Sequence, residues 1–250
     1  MRTILNNDSW IVPDWPAPAN VRSLLTTRQG GVSQGIYAGF NLGSHVGDDP
    51  AVVAANRAQV AARVGGEPIW LDQVHGTRAI DADQFARLDQ VPQADATYSR
   101  QAGSVCVVMT ADCLPVLLCD DSGAVVAAAH AGWRGLLAGV LEETIRAMMV
   151  PGRSLLAYLG PAIGPRAFEV GDEVRSAYVA ENGAAASAFT PSSPGKWLAD
   201  IYLLARQRLA IRGVERVFGG SFCTVSDAER FFSYRRDGQT GRMAAMIWLE

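Results

Sequence analysis

CLPVLLCDDSGAVVAAAHAGWRG, Cys113 to Gly135, is the stretch whose reading decides the fold. Two apolar runs, LPVLLCD and GAVVAAAH, flank a cluster of turn residues. Each run is too short for a typical helix, and turn residues bound both, so they read as neighbouring buried strands joined by a hairpin at Asp120–Gly123. If Asp121 and Ser122 form a two-residue loop, Asp120 faces Gly123 and Cys113 lies directly opposite His130. Their Cβ atoms would then be roughly 4.5–5.5 Å apart. AGWRG continues from His130 into a helical pattern, giving a strand, a glycine-rich turn and a helix N-terminus. Free backbone N–H groups there, with Arg134 beside them, suit a phosphate or carboxylate; a tight glycine-permitted connection is the alternative.

Working outward, SVCVVMT (Ser104 to Thr110) is a further apolar β-rich run, and IWLDQVH (Ile69 to His75) reads as a strand ending at Gly76. Asp49-Pro50 opens a helix that Gly65-Gly66 stops. LLAGVLEETIRAMM (Leu136 to Met149) carries an apolar stripe at helical spacing, and WLADIYLLARQRLAI reads as another helix, ended by Gly213. VERVF and RMAAMIWL are late strands. Residues 181–196, rich in Ala, Ser and Pro, read as a surface excursion within one domain. Strands and helices mix without βαβ alternation, so the expectation is one α+β sandwich domain over residues 1–250.

The composition narrows the chemistry. The chain has 250 residues and a net charge of -3, with no basic block, which argues against nucleic acid as a partner. No run approaches the roughly 18 apolar residues of a membrane span, and the N-terminus lacks an export signal's pattern. A cytoplasmic protein with no membrane attachment is expected, and the four cysteines read as thiols.

There are three histidines, His45, His75 and His130. His75, Cys113 and His130, each at the end of an expected strand, form an N, S, N ligand set that leaves one tetrahedral position open, the pattern of catalytic zinc. Taken singly, each has a plainer reading: a capped surface histidine, or a small buried apolar thiol. Cys113 with His130 is also a nucleophile–base pair suited to a cysteine hydrolase or amidase. A non-catalytic module with a structural metal is the third class.

The stretches QVHG (Gln73 to Gly76), TADCLPVLL (Thr110 to Leu118) and HAGWRG (His130 to Gly135) resemble the peptidoglycan editing factor family, also labelled polyphenol oxidase, laccase domain, and described as purine nucleoside phosphorylases. TTRQGGVS, FNLGSHVGDDP, QADATYS, GPAIGPRAFEVG and FFSYRRDGQTGRMAAMIWL extend the resemblance over nearly the whole chain; Arg166 stands where many relatives carry Cys. The resemblance implies a four-layer α/β/β/α sandwich with mixed sheets. It implies zinc, or copper, on His75, Cys113 and His130. It also implies phosphorolysis of adenosine, inosine and methylthioadenosine, with adenosine deamination and an older claim of phenol oxidation.

Three histidines cannot furnish the imidazole-rich copper cluster of a multicopper oxidase, so oxidation reads as a side activity. Deamination needs a carboxylate proton shuttle; the His-x-Glu signature is absent and Asp112 is the candidate. Phosphorolysis needs cations for phosphate, for which Arg28, Arg134 and Arg235 are candidates. Asn41 and His45, in FNLGSH, are candidate substrate contacts; His45 reads equally as an acid or as a loop histidine without chemistry. The partners expected are therefore a purine nucleoside and phosphate, with no obligate protein partner.

Overall fold

The computed structural model describes residues 9–85 and 91–250; residues 1–8 of the N-terminal stretch read above for an export signal lie outside them. In chain order the strands are β1 (Trp10–Ile11), β2 (Val21–Thr26), β3 (Pro68–Ile69), β4 (Ala79–Asp81), β5 (Ala96–Ser99), β6 (Val105–Thr110), β7 (Leu114–Asp120), β8 (Val126–Ala131), β9 (Leu155–Leu159), β10 (Glu169–Gly171), β11 (Phe189–Pro191), β12 (Lys196–Ala199), β13 (Arg216–Gly219) and β14 (Met243–Leu249). The helices are α1 (Pro50–Val64), α2 (Ala82–Phe85), α3 (Trp133–Ala138), α4 (Val140–Met148), α5 (Asp172–Glu181), α6 (Ile201–Ile211) and α7 (Tyr234–Asp237). No described helix is long and apolar enough to cross a membrane.

Two mixed sheets carry the fold: a five-stranded sheet in the order β1-β2-β14-β6-β3, and a six-stranded sheet in the order β13-β9-β7-β8-β5-β4. Strand alternation sorts side chains into layers. Cys106 and Val108 of β6, with Ala245 and Ile247 of β14, meet Leu117 and Cys119 of β7 and Ala128 of β8 between the sheets. The alternate residues Val107, Met109 and Met246 pack with Val60 and Val64 of α1 on one outer face. Leu114, Val116, Leu118 and Ala129 pack with Leu141 and Ile145 of α4 and Leu204 of α6 on the other. The architecture is thus a four-layer α/β/β/α sandwich. Both faces of the central strands are covered, which is why they read as continuous apolar runs.

Helix α1 matches its sequence signals: Asp49 accepts a hydrogen bond from the Ala51 N–H at 2.8 Å, and Gly65 closes the helix at φ 77°. Elsewhere the structure corrects the reading. The helix expected over 136–149 is two, broken at Gly139 with φ 101°. Trp197–Ala199 belong to β12, which pairs with β10 and β11, and Asp200 caps α6 by accepting a hydrogen bond from the Leu203 N–H at 2.9 Å. The 181–196 segment is not a plain surface loop: Ala185, Ala188 and Phe189 are buried in the core beside α6.

The hairpin register also differs. The β7–β8 pairs are Pro115 with His130 and Leu114 with Ala131, so Cys113 is not directly opposite His130. The turn is longer because the Asp120 carboxylate accepts from the N–H groups of Ser122 (3.2 Å), Ala124 (2.7 Å) and Val125 (2.8 Å), holding Asp121–Ala124 as the loop. The register moves Cys113 by two positions relative to β8. The side-chain period of a strand is two, so Cys113 stays on the same face and becomes the diagonal neighbour of His130.

Candidate metal centre and its cavity

The site forms where the inter-sheet core opens at one end. His130 is the last residue but one of β8, on the inter-sheet face, and Cys113 immediately precedes β7 on that same face. His75 arrives from a loop. Of IWLDQVH, Ile69 belongs to β3, Asp72 makes an isolated parallel bridge to Gln93, and the rest is not strand. Further along, the Gln73 side-chain amide replaces strand pairing: Oε1 accepts from the Met109 N–H at 2.7 Å and Nε2 donates to the Met109 carbonyl at 2.8 Å. The chain then curls, with His75 at φ 61°.

The ligand atoms of His75, Cys113 and His130 all lie within 4.8 Å of one another. Cys113 Sγ is 3.7 Å from His75 Nε2, and the two imidazoles meet edge to face with centroids 4.8 Å apart. Donor atoms at bond lengths of roughly 2.0–2.3 Å around a tetrahedral ion stand roughly 3.5 Å apart, so the three side chains fit such an ion. Two glycines make the approach possible. A Cβ on Gly132 would stand 2.7 Å from His75 Cδ2 and 3.0 Å from Cys113 Sγ, and one on Gly135 would stand 2.8 Å from the Gly76 carbonyl. The glycines of AGWRG therefore seat the His75 loop against the start of α3.

Asp95, which the sequence reading passed over within QADATYS, organises the cluster. It is fully buried. Continuing the β5–β8 register, in which Ala96 faces Ala129, places it opposite His130. Its Oδ1 accepts from His130 Nδ1 at 2.8 Å and from the His75 N–H at 2.9 Å; its Oδ2 accepts from the N–H groups of Val74 (3.2 Å) and Gly76 (2.7 Å). With Nδ1 engaged in this way, the lone pair of His130 Nε2 is turned toward the cluster. The curl at His75 points three successive amides at one carboxylate. Burial raises the Asp95 carboxyl, but the His130 hydrogen bond and charge and the amide hydrogen bonds outweigh it, leaving it below its ordinary value.

Burial pushes the Cys113 thiol up, yet the charges and hydrogen bonds of His130 and His75 prevail and hold it at about 6. Burial disfavours charged His130; Cys113 and Asp95 overcome this and raise it to about 9. Desolvation of the thiols in the inter-sheet core drives Cys106 and Cys119 the other way, to about 12.

A cavity of about 380 Å³ opens over the cluster. Trp133, Phe168 and Tyr234 give it aromatic walls, and Arg134, Arg235 and Arg242 give it guanidinium groups. His45 lines it as expected; burial, then Arg242 and Arg57, hold its imidazole below the ordinary value. Arg134 lies 4.4 Å over the Trp133 ring, and Arg235 donates to the Glu169 carbonyl at 2.9 Å. Asp112 lines the cavity at φ 91°, and its carboxylate accepts from the Arg235 N–H at 2.6 Å and from the Thr224 hydroxyl at 2.5 Å.

Two expected contacts lie elsewhere. Arg28 packs 4.6 Å over the Phe232 ring and donates to the Ala228 carbonyl, away from the cavity lining. Asn41 is fully buried and accepts from the N–H groups of Gly43 and Arg242 at 2.9 Å each, a clamp behind the cavity wall. Arg242 and Gln73 line the cavity without having been singled out as cavity residues. Each is placed by pairing between segments distant in sequence.

Fold and site together define a single-domain four-layer α+β protein with a His-Cys-His cluster, able to hold a metal ion, between two mixed sheets. The chain belongs to the family described as multi-copper polyphenol oxidoreductase laccase, which matches residues 22–250. It is similar to the purine nucleoside phosphorylase PA4543 of Pseudomonas aeruginosa, 57% identical over 97% of this chain and 99% of that protein. It is also similar to the purine nucleoside phosphorylase YfiH of Escherichia coli K12, at 54% identity over 96% of this chain and 98% of that one. Among solved structures, Neisseria meningitidis protein NMB0706 superposes with a TM-score of 0.95 at 53% identity, covering 97% of this chain and 99% of its own. YlmD from Geobacillus stearothermophilus superposes with a TM-score of 0.84 at 31% identity, covering 97% and 96%.

Proposed function

We propose that this chain is a zinc-dependent purine nucleoside phosphorylase acting on adenosine, inosine and methylthioadenosine. The observation that carries the reading is one cavity that joins an N, S, N ligand cluster to aromatic walls and guanidinium groups. The names of the bacterial relatives point the same way. His75, Cys113 and His130 would hold the ion; bound zinc supplies Lewis-acid polarisation of an oxygen facing it.

The rest is the work of the chain. Trp133, Phe168 and Tyr234 offer ring faces and edges to a purine. A guanidinium of the cavity binds phosphate through charge-assisted hydrogen bonds and holds it near C1′ of the ribose. A phosphate oxygen bonds to C1′ as the C1′–N9 bond breaks, and the electron pair leaves with the purine. The proton that the departing base takes up is the one hydrogen phosphate brings, relayed by the neutral His45 ring that lines the cavity. Adenosine deamination at the same site is the slower reaction in this proposal. Asp112 is the one carboxylate among the described cavity-lining residues, and both its oxygens already accept hydrogen bonds.

The lowered Cys113 thiol beside the raised His130 imidazole favours a second reading, a thiolate–imidazolium hydrolase. Metal analysis combined with an adenosine-plus-phosphate assay, on wild type and Cys113→Ala, separates them. One zinc per chain, with adenine and ribose 1-phosphate as products and both lost in the variant, is the expected result. A metal-free protein that cleaves no nucleoside but alkylates readily at Cys113 sinks the phosphorylase in favour of the hydrolase.

A further inference from the structure

The three arginines of the cavity differ in how they are held. Arg134 and Arg235 are exposed, and each leans on an aromatic ring, Trp133 and Phe168 respectively. Arg242 is partly buried and fixed along its length. Its backbone N–H is held by Asn41 Oδ1. Its Cγ occupies the space that a Cβ on Gly43 would need, at 2.8 Å. Its Nη1 donates to the carbonyls of Thr240 (2.9 Å) and Gly241 (3.0 Å). Among the described residues no carboxylate stands within ion-pair distance of it, and its Nε and Nη2 find no protein acceptor.

Cys113 and Asp112 favour the charge of Arg242 from beyond ion-pair distance, but a guanidinium removed from water without a directly paired counter-ion is costly unless an anion completes it. His45 stands on the same wall of the cavity. Asn41 clamps the two together, because its Oδ1 accepts both from Gly43, two residues before His45, and from Arg242.

We infer that Arg242, with His45 beside it, is the phosphate subsite of the cavity, and that Asn41 is a positioning residue that locks the two onto one rigid wall. The inference rests on the phosphorylase reading for its substrate. The free edge of Arg242 presents Nε and Nη2 as a two-pronged donor to two phosphate oxygens, and the His45 ring offers a third hydrogen bond. Arg134 and Arg235, at the exposed wall, then face the nucleoside.

The test uses the full-length, metal-loaded protein with inorganic phosphate as the probe. Binding is followed by phosphate-31 NMR line broadening with sulfate as competitor, and initial rates are taken with phosphate and adenosine varied separately. Arg242→Gln is expected to raise the KM for phosphate at least about tenfold, to leave the KM for adenosine within about twofold, and to abolish line broadening. Arg242→Lys, which keeps the charge but loses the fork, is expected to fall between. Asn41→Ala is expected to raise the phosphate KM while phosphate at high concentration restores the rate.

An Arg242→Gln enzyme with unchanged phosphate KM, or with both KM values raised together, overturns the inference. If Arg242→Gln does not fold, an unchanged phosphate KM in Arg242→Lys overturns it equally. Wild-type protein that broadens no phosphate signal also overturns it. Phosphate binding that depends on Arg242 without any nucleoside cleavage supports the subsite and refutes the phosphorylase reading instead.

Discussion

Replacing Asp95 with asparagine tests the organisation of the metal centre at its most constrained point. Four donors converge on the two carboxylate oxygens: His75 N–H and His130 Nδ1 on Oδ1, Val74 N–H and Gly76 N–H on Oδ2. An amide cannot accept on both sides. With its oxygen toward His130, its NH₂ opposes the Val74 and Gly76 amides. With its oxygen toward those amides, its NH₂ faces His75 N–H and donates to His130 Nδ1, which moves the ring proton to Nε2 and removes that ligand lone pair. The first arrangement loses two buried hydrogen bonds and the second loses one, at about 1–3 kcal/mol each, so the metal-free fold should lose about 1–6 kcal/mol. Metal affinity should fall about 10–100-fold, equivalent to about 1.4–2.7 kcal/mol.

The assay is competition for zinc against a chromophoric chelator at pH 7.5, with thermal melting in excess chelator as the stability readout. Because the Asp95 carboxyl is held below its ordinary 3.8, its stabilisation is complete above the unfolded-state value and is lost as pH falls through the lower folded-state value. The melting gap between wild type and Asp95→Asn should therefore narrow on acidification below about pH 4. Zinc affinity within twofold of wild type would refute the positioning role.

Further outcomes follow from the same geometry. Metal-free protein should alkylate at Cys113 with a midpoint near pH 6, while Cys106 and Cys119, held at about 12, stay unreactive until unfolding. Added zinc should protect Cys113 but not the half-buried Cys223, whose thiol hydrogen bonds also hold it below the ordinary value. Mass mapping that finds zinc-independent labelling of Cys113, or label on Cys106 or Cys119 in the folded protein, contradicts this. Gly132→Ala places a methyl 2.7 Å from His75 Cδ2 and 3.0 Å from Cys113 Sγ. It should lower zinc affinity more than about tenfold while the chelator-treated protein melts within a few degrees of wild type; an unchanged affinity would show that the loop yields freely. Asp120→Ala orphans the turn amides of Ala124 and Val125 and should cost about 2–6 kcal/mol in urea unfolding, with zinc stoichiometry intact. A loss near zero would mean that water replaces the carboxylate.

Much of the layer structure was legible in the sequence, because burial on both faces leaves a signature that needs no partner to read. LPVLLCD matches β7 residue for residue, and the Asp49-Pro50 and Gly65 signals bound α1. The three clustered residues were singled out in the sequence through scarcity, since two of only three histidines end runs that read as strands, and the structure does bring them together. The hairpin itself was predicted correctly, but the register expected for it was off by two residues. Turn length was decided by the Asp120 carboxylate binding amides up to five residues away, a choice that residue types alone leave open.

What only tertiary structure decided is what comes from pairing between distant segments. Asp95 meets His130 because β5 pairs with β8, and Arg242 meets His45 because Asn41 bridges from a loop to the approach of β14. Arg28 and Arg242 are the same residue type in equally plausible blocks, yet one stacks on Phe232 and the other faces the cavity. Local sequence fixes hydrophobic period, caps and candidate ligand types, since those depend on neighbours within a few residues. Which charge is desolvated, and which carboxylate orients which ring, depends on contacts up to about two hundred residues apart, such as Asn41 with Arg242. No local pattern encodes those contacts.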